Sequence, residues 1–149
     1  MYPQGTRSVF GRKAPIFQAR EEPSTLLIVE DQELLAQYMG TLAEDLGWIA
    51  EIAGSVRAVE DLLEESHPAV LVLDLGLPDG DGVELLRHLS RRRYQGSILI
   101  VSSCGEDILE SCGRLADELG LRVAGRARKP ITAARFAELL DRSLPESKH

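Results

Sequence analysis

Four short segments of this sequence, three of them apolar runs, each end in side chains that could do chemistry. LLIVED ends in Glu30 and Asp31, VLVLD ends in Asp74, ILIVSS ends in Ser102 and Ser103, and RARKP carries Lys129 before Pro130. Short apolar runs are typical of buried parallel strands, whose carboxyl ends meet along one edge of the sheet. Folding would therefore gather three carboxylates, a hydroxyl and an ammonium into one pocket. Such a set suits a divalent cation and a phosphoryl group.

Each of these residues, taken alone, has a more ordinary interpretation. An Asp or a Ser that follows a strand commonly forms a turn or caps a helix. The pair Glu30 and Asp31 could be a solvated cap, and Lys129 alone would be a surface lysine. The prediction of a site therefore depends on the four strand ends occurring together, in one order, within one chain.

Length and composition predict a single soluble domain. The chain has 149 residues and a net charge of -7, whereas a surface that binds nucleic acid needs clustered Lys and Arg. We therefore expect no nucleic-acid partner. The sequence has no run of about 18 apolar residues and no secretory leader, so we expect a cytoplasmic protein with no membrane partner. Cys104 and Cys112 lack metal-ligand spacing and are predicted to be reduced thiols, Cys112 as a small core residue.

The chain divides into three parts. Residues 1–24 show neither helical nor strand periodicity and are predicted to form a flexible extension. Residues 25–143 alternate between strand and helix patterns, and residues 144–149 form a short tail. The predicted strands are Leu26–Val29, Trp48–Ala53, Ala69–Leu73, Ile98–Val101 and, less apolar and therefore at an edge, Arg122–Arg128. The predicted caps are Gly47 at a helix end, and Ser55, Asp81 with Glu84, and Thr132 at helix starts.

Five βα units predict an α/β fold, a doubly wound five-stranded parallel sheet with helices on both faces. The flavodoxin-like strand order 2-1-3-4-5 is the natural closure. This order places strands one and three side by side, so that Asp31 and Asp74 become neighbours. No glycine-rich loop follows the first strand, which argues against dinucleotide or P-loop nucleotide binding.

In its motifs the chain resembles the receiver domain of two-component response regulators. The resemblance covers residues 25 to about 143 and rests on the acidic pair, VLVLDLGLPDGDG, ILIVSS and the final Lys-Pro. It implies that Asp74 accepts a phosphoryl group from a phosphohistidine on a partner histidine kinase or histidine phosphotransferase. It also implies that Ser102 hydrogen-bonds a phosphoryl oxygen and that Lys129 pairs with the phosphoryl group.

The same resemblance implies a magnesium site. Glu30, Asp31 and Asp74 would hold Mg²⁺ together with the backbone carbonyl of Gly76, and magnesium favours oxygen ligands of this kind. The expected activity is that of a signalling phosphoacceptor which catalyses its own phosphoryl transfer and slow autodephosphorylation. An Asp carboxylate can serve as a covalent phosphoryl acceptor.

Two positions depart from the family pattern. Arg126 stands three residues before Lys129, where receivers usually carry an aromatic switch residue, and Arg128 adds a charge at a commonly apolar position. The segment GLRVAGRARKPI resembles receivers found beside cyclic-di-GMP phosphodiesterase domains. Since a guanidinium resists burial, we expect Arg126 to stay at the surface in both signalling states.

We expect output through a protein partner or self-association, since no effector module is recognised after Asp141. The expected surface is the face formed by the fourth and fifth strands and the last two helices. A stand-alone regulator, a phosphorelay shuttle and a receiver cut from a larger protein all remain open. Two alternatives come from other classes: a phosphohydrolase of the haloacid dehalogenase type, and a pseudo-receiver that acts only as an interaction module. The first needs a second acid two residues after its nucleophile, where this chain has Gly76.

Overall fold

A computed structural model describes residues 24–77 and 82–144 of the chain. The strands are β1 (Thr25–Val29), β2 (Ile49–Ala53), β3 (Val70–Leu73), β4 (Ser97–Ser102) and β5 (Arg122–Arg128). The helices are α1 (Glu33–Asp45), α2 (Val56–Leu63), α3 (Gly82–Arg91), α4 (Glu106–Glu118) and α5 (Ala133–Ser143). None of the helices in these ranges is long and apolar enough to cross a bilayer.

All five strands form one parallel sheet in the order β2-β1-β3-β4-β5, which confirms the predicted topology. In the register of the sheet Val29 lies beside Leu73, so the residues that follow β1 and β3 emerge side by side. Ser102 at the end of β4 pairs with Arg128 of β5. The sheet therefore brings all four predicted strand ends to a single edge.

Consecutive side chains along each strand point to opposite faces of the sheet, so the core forms two layers. On one side of the sheet, Leu27 and Leu71 belong to the cluster that contains the buried residues of α2, α3 and α4. On the other side, Leu26 and Val70 belong to the cluster that contains those of α1 and α5, including Phe136. The central strands are buried on both faces because helices cover both, and they read as continuous apolar runs for that reason.

Three predicted helix caps are confirmed. The hydroxyl of Ser55 accepts a hydrogen bond from the backbone N–H of Ala58, and that of Thr132 accepts one from Arg135. Gly47 has a φ of +97°, a left-handed conformation that glycine adopts without strain at the end of a helix. The capping role predicted for Asp81 lies outside the described residues, as do residues 1–23 of the predicted extension and residues 145–149 of the tail.

A few details differ from the sequence prediction. The helical spacing of apolar residues predicts buried positions for Tyr38, Leu46 and Ile108, yet their side chains are exposed. Strand β4 extends beyond Ile98–Val101 to include Ser97 and Ser102. Strand β5 lies at an edge as predicted, and an irregularity between Ile98 and Leu99 shifts its register by one residue.

Candidate functional site

Asp74 occupies the centre of the pocket at the carboxyl edge of the sheet. It follows β3 directly and its side chain is buried. Oδ1 accepts hydrogen bonds from the backbone N–H of Gly76 and from the hydroxyl of Ser102, both at 3.2 Å. Oδ2 accepts a hydrogen bond from Lys129 Nζ at 3.2 Å. Both carboxylate oxygens therefore face polar groups from three different parts of the chain.

Lys129 is held in place by the end of the sheet. Its backbone N–H donates to the carbonyl of Ser102 at 2.9 Å, which extends the pairing of β4 and β5 by one residue. Its ammonium contacts Asp74 and also Glu30 Oε1, at 2.7 Å. Burial lowers the pKa of Lys129, but hydrogen bonds and the charges of Glu30 and Asp74 outweigh it, and the net pKa lies above the ordinary value.

The three acidic side chains form a cluster. Glu30, Asp31 and Asp74 each present a carboxylate oxygen, and these oxygens lie within 4.8 Å of one another. Glu30 and Asp74 are buried, whereas Asp31 is exposed. Glu30 Oε2 accepts a hydrogen bond from the backbone N–H of Gln32, and Oε1 faces the ammonium of Lys129 at 2.7 Å. Three carboxylates gathered in this way fit the ligand set of a hard cation.

The structure distinguishes Ser102 from Ser103, which the sequence pattern alone presents as equals. Ser102 is the last residue of β4, is buried and points to Asp74. Ser103 is exposed. β4 ends at Ser102, so Ser103 already lies in the connection that leads to α4.

Arg126 lies on the surface, as predicted, and rests on helix α4. A Cβ atom built on Gly113 would lie 3.1 Å from Arg126 Nη1 and 3.5 Å from Cδ, so the side chain lies across the helix where a larger residue would crowd it. Arg126 pairs in the sheet with Ile100, two residues before Ser102. The sequence analysis did not identify Gly113. In the sequence, the one indication of its role is that a small residue stands among the inward-facing positions of α4.

Gly82 closes the loop that follows the acidic pocket. Its N–H donates to the carbonyl of Leu75 at 3.0 Å, and a Cβ at this position would lie 2.8 Å from the Cα of Leu75. The close approach requires glycine here. This contact places α3 immediately after the segment that contains Asp74 and Gly76.

Comparisons with known proteins agree with this geometry. Residues 26–124 match the family model for the response regulator receiver domain. Since this segment spans more than half of the sequence, the chain belongs to the response regulator receiver domain family. The match favours the receiver interpretation over a haloacid-dehalogenase-type phosphohydrolase, and the chain is a phosphoacceptor module of two-component signalling.

Similar proteins are found among both curated sequences and solved structures. The transcriptional regulatory protein PmrA of Pectobacterium parmentieri is 36% identical over 78 residues, which are 52% of this chain and 35% of PmrA. DpiA of Escherichia coli K12 is 29% identical over 122 residues, 80% of this chain and 52% of DpiA. The chemotaxis response regulator CheY4 of Vibrio cholerae has a TM-score of 0.72 at 18% identity, with 82% of this chain and 99% of CheY4 covered, and so shows the fold alone. The chain spans only about a third to a half of these curated relatives.

Proposed function

We propose that Asp74 is the residue that accepts the phosphoryl group. The observation that supports this most directly is the arrangement around its carboxylate, where Ser102 and Gly76 donate to one oxygen and Lys129 to the other. Glu30 and Asp31 are also acidic, but they lack this set of donors in the described chain. Asp74 alone combines burial with contacts from β4 and from the residue that follows β5.

The chemistry follows from these contacts. A carboxylate oxygen of Asp74 attacks the phosphorus of a phosphohistidine, a P–O bond forms, and the P–N bond breaks as its electron pair returns to the imidazole. Negative charge on the oxygens of the transferring phosphoryl group is stabilised best by hydrogen-bond donors that are already in place. Such donors need no rearrangement at the moment of reaction. Lys129 and Ser102 are positioned to supply them on the side where they now contact Asp74. The same groups would support slow hydrolysis of the acyl phosphate.

We propose that Mg²⁺ binds to Glu30, Asp31 and Asp74, with the backbone carbonyl of Gly76 as a further ligand. The acidic cluster of Glu30, Asp31 and Asp74 fits a hard cation that prefers oxygen ligands. The exposure of Asp31 leaves one side of the cluster open to water, which magnesium usually retains. When bound, the ion would neutralise negative charge on the phosphoryl oxygens.

The phosphodonor is proposed to be a histidine kinase or a histidine phosphotransferase, the partners with which receiver domains interact. The output is proposed to pass to a protein partner or a second copy of the chain through the face formed by β4, β5, α4 and α5. Arg126 pairs with Ile100, which lies two residues before Ser102 on β4, and its side chain lies against α4. A shift of Ser102 towards a phosphoryl group would therefore occur close to the contact between Arg126 and α4.

Treatment of the full chain with acetyl phosphate and Mg²⁺, followed by intact mass measurement, tests the assignment of Asp74. One phosphoryl group should be added to the wild type and none to Asp74→Asn. Asp141→Asn, a change at an exposed acid on α5, serves as the matched control and should be labelled like the wild type. Stable labelling of Asp74→Asn at the wild-type yield would contradict the proposal.

A further inference from the structure

A cavity of about 560 Å³ opens at the end of the sheet opposite Asp74. Ala69, Gly96 and Arg122 line it, and these residues stand at the amino ends of β3, β4 and β5. Asp74 and Ser102 belong to the carboxyl ends of the same strands. The cavity is therefore separate from the phosphorylation site, and its volume falls within the range of about 300–1,000 Å³ that is typical of small-molecule sites.

The charge of the cavity is opposite to that of the protein. His67, Arg92, Arg93 and Arg122 line it, and no Asp or Glu does so among the described residues. The whole chain carries a net charge of -7. Three arginines among the residues that line one cavity of an acidic protein favour an anionic occupant.

The three arginines are held to different degrees. Arg92 donates to the carbonyl of Leu63 at 2.8 Å and lies 3.8 Å from the carboxylate of Glu64, so its charge is already balanced. Arg122 has only a long contact of 3.4 Å with the carbonyl of Ser143. Arg93 forms no ion pair with the described residues, and its φ of 59° is unusual outside glycine. Arg93 and Arg122 therefore retain donors for a ligand.

The floor of the cavity is apolar and fixed. Tyr94 donates its hydroxyl to the carbonyl of Pro68 at 3.0 Å, and this contact occupies its polar end. A Cβ on Gly96 would lie 2.3 Å from the Tyr94 oxygen, so glycine is what allows the ring to lie here. Leu63, Pro68 and Leu144 complete an apolar lining that suits the body of a ligand rather than its charge.

We propose that this cavity binds a small organic phosphate of mononucleotide size, with its ring against the floor and its phosphate on Arg93 and Arg122. The planar fork of a guanidinium can donate two parallel hydrogen bonds to the oxygens of one phosphate. The apolar floor adds affinity for an organic body that inorganic phosphate lacks. This inference is independent of the proposed phosphorylation of Asp74, because the two sites lie at opposite ends of the sheet.

An NMR titration of the full chain with AMP, adenosine and inorganic phosphate tests this proposal. AMP should shift the amides of Ala69, Gly96 and Arg122 in a saturable manner, with a Kd at least about tenfold below those of adenosine and phosphate. Arg122→Gln should weaken AMP binding about fivefold, while Arg142→Gln, at an exposed position of α5 outside the cavity, should leave it unchanged. Asp74→Asn should also bind AMP like the wild type.

Each of the following results would overturn the proposal. The first is a titration with AMP that does not saturate at the cavity amides. The second is an equal Kd for AMP and inorganic phosphate, because the apolar floor would then contribute nothing. The third is a shift confined to the pocket of Asp74, or an equal loss of affinity in the Arg122 and Arg142 variants, since neither pattern places the ligand at the cavity.

Discussion

Lys129 Nζ lies 2.7 Å from Glu30 Oε1, although Glu30 follows β1 and Lys129 follows β5. The same ammonium contacts Asp74 at 3.2 Å, so one cation bridges two of the three carboxylates in the cluster. A divalent cation bound to Glu30 would take over part of this role. Lys129 would then be free to keep its contact with Asp74 and to donate to a phosphoryl group there.

Replacement of Lys129 should separate metal binding from phosphorylation. Lys129→Ala removes the ammonium that competes for Glu30, so we expect Mg²⁺ affinity to be retained or raised, while phosphorylation by acetyl phosphate slows at least about tenfold because a charge-stabilising donor is lost. Metal titration and intact mass kinetics measure the two effects. Lys129→Arg keeps the charge and is the matched comparison. A wild-type rate of phosphorylation in Lys129→Ala would exclude the role proposed for the ammonium.

Removal of the negative charge at Asp31 should lower the affinity of the protein for Mg²⁺. Asp31→Asn should weaken Mg²⁺ binding about tenfold or more, because a carboxylate ligand to a hard cation is lost, and phosphorylation should slow in proportion. Isothermal titration with Mg²⁺ gives the affinity. Asp45→Asn at the end of α1 is a control outside the cluster. Equal affinities in Asp31→Asn and the wild type would remove Asp31 from the site.

Binding of beryllofluoride, a phosphoryl mimic, should reach the surface near Arg126. We expect amide shifts at Asp74 and Ser102 and also along 101–109 and at Arg126, because β4 pairs with β5 as far as Ser102 and residues 103–109 follow β4 directly into α4. The contact with Gly113 predicts that Gly113→Ala will alter the shift at Arg126 while leaving that at Asp74 intact. Shifts confined to the Asp74 pocket would rule out transmission through this face.

Because of Tyr94, the stability of the folded protein should fall at alkaline pH. Burial raises the pKa of Tyr94 above its ordinary value of 10.0. Above pH 10.0 the unfolded chain loses this proton and the folded chain keeps it, so the contribution of Tyr94 to stability is complete below pH 10.0 and falls as the pH rises. Urea unfolding across this range should show a steeper decline for the wild type than for Tyr94→Phe, whose loss of one hydrogen bond costs about 1 kcal/mol at neutral pH. Parallel curves would contradict the shift.

Much of the fold could be predicted because the apolar runs and helix caps are local signals. Runs such as LLIV and VLVL identify strands buried on both faces, and Ser55 and Thr132 mark helix starts with their own side chains. The exposed positions of Tyr38 and Ile108 were not predicted, because the width of the apolar stripe on a helix depends on how its neighbours pack.

The sequence by itself determined which strand ends carry reactive groups and in what order, because three of the groups directly follow apolar runs and Lys129 directly follows the less apolar β5. Only the tertiary structure decided which groups touch. The orientation of Ser102 towards Asp74, the contact of Lys129 with Glu30 and the position of Arg126 on Gly113 depend on register and on distances between elements remote in sequence. The basic cavity at the other end of the sheet is likewise a property of packing, since its arginines come from the α3–β4 connection and from β5.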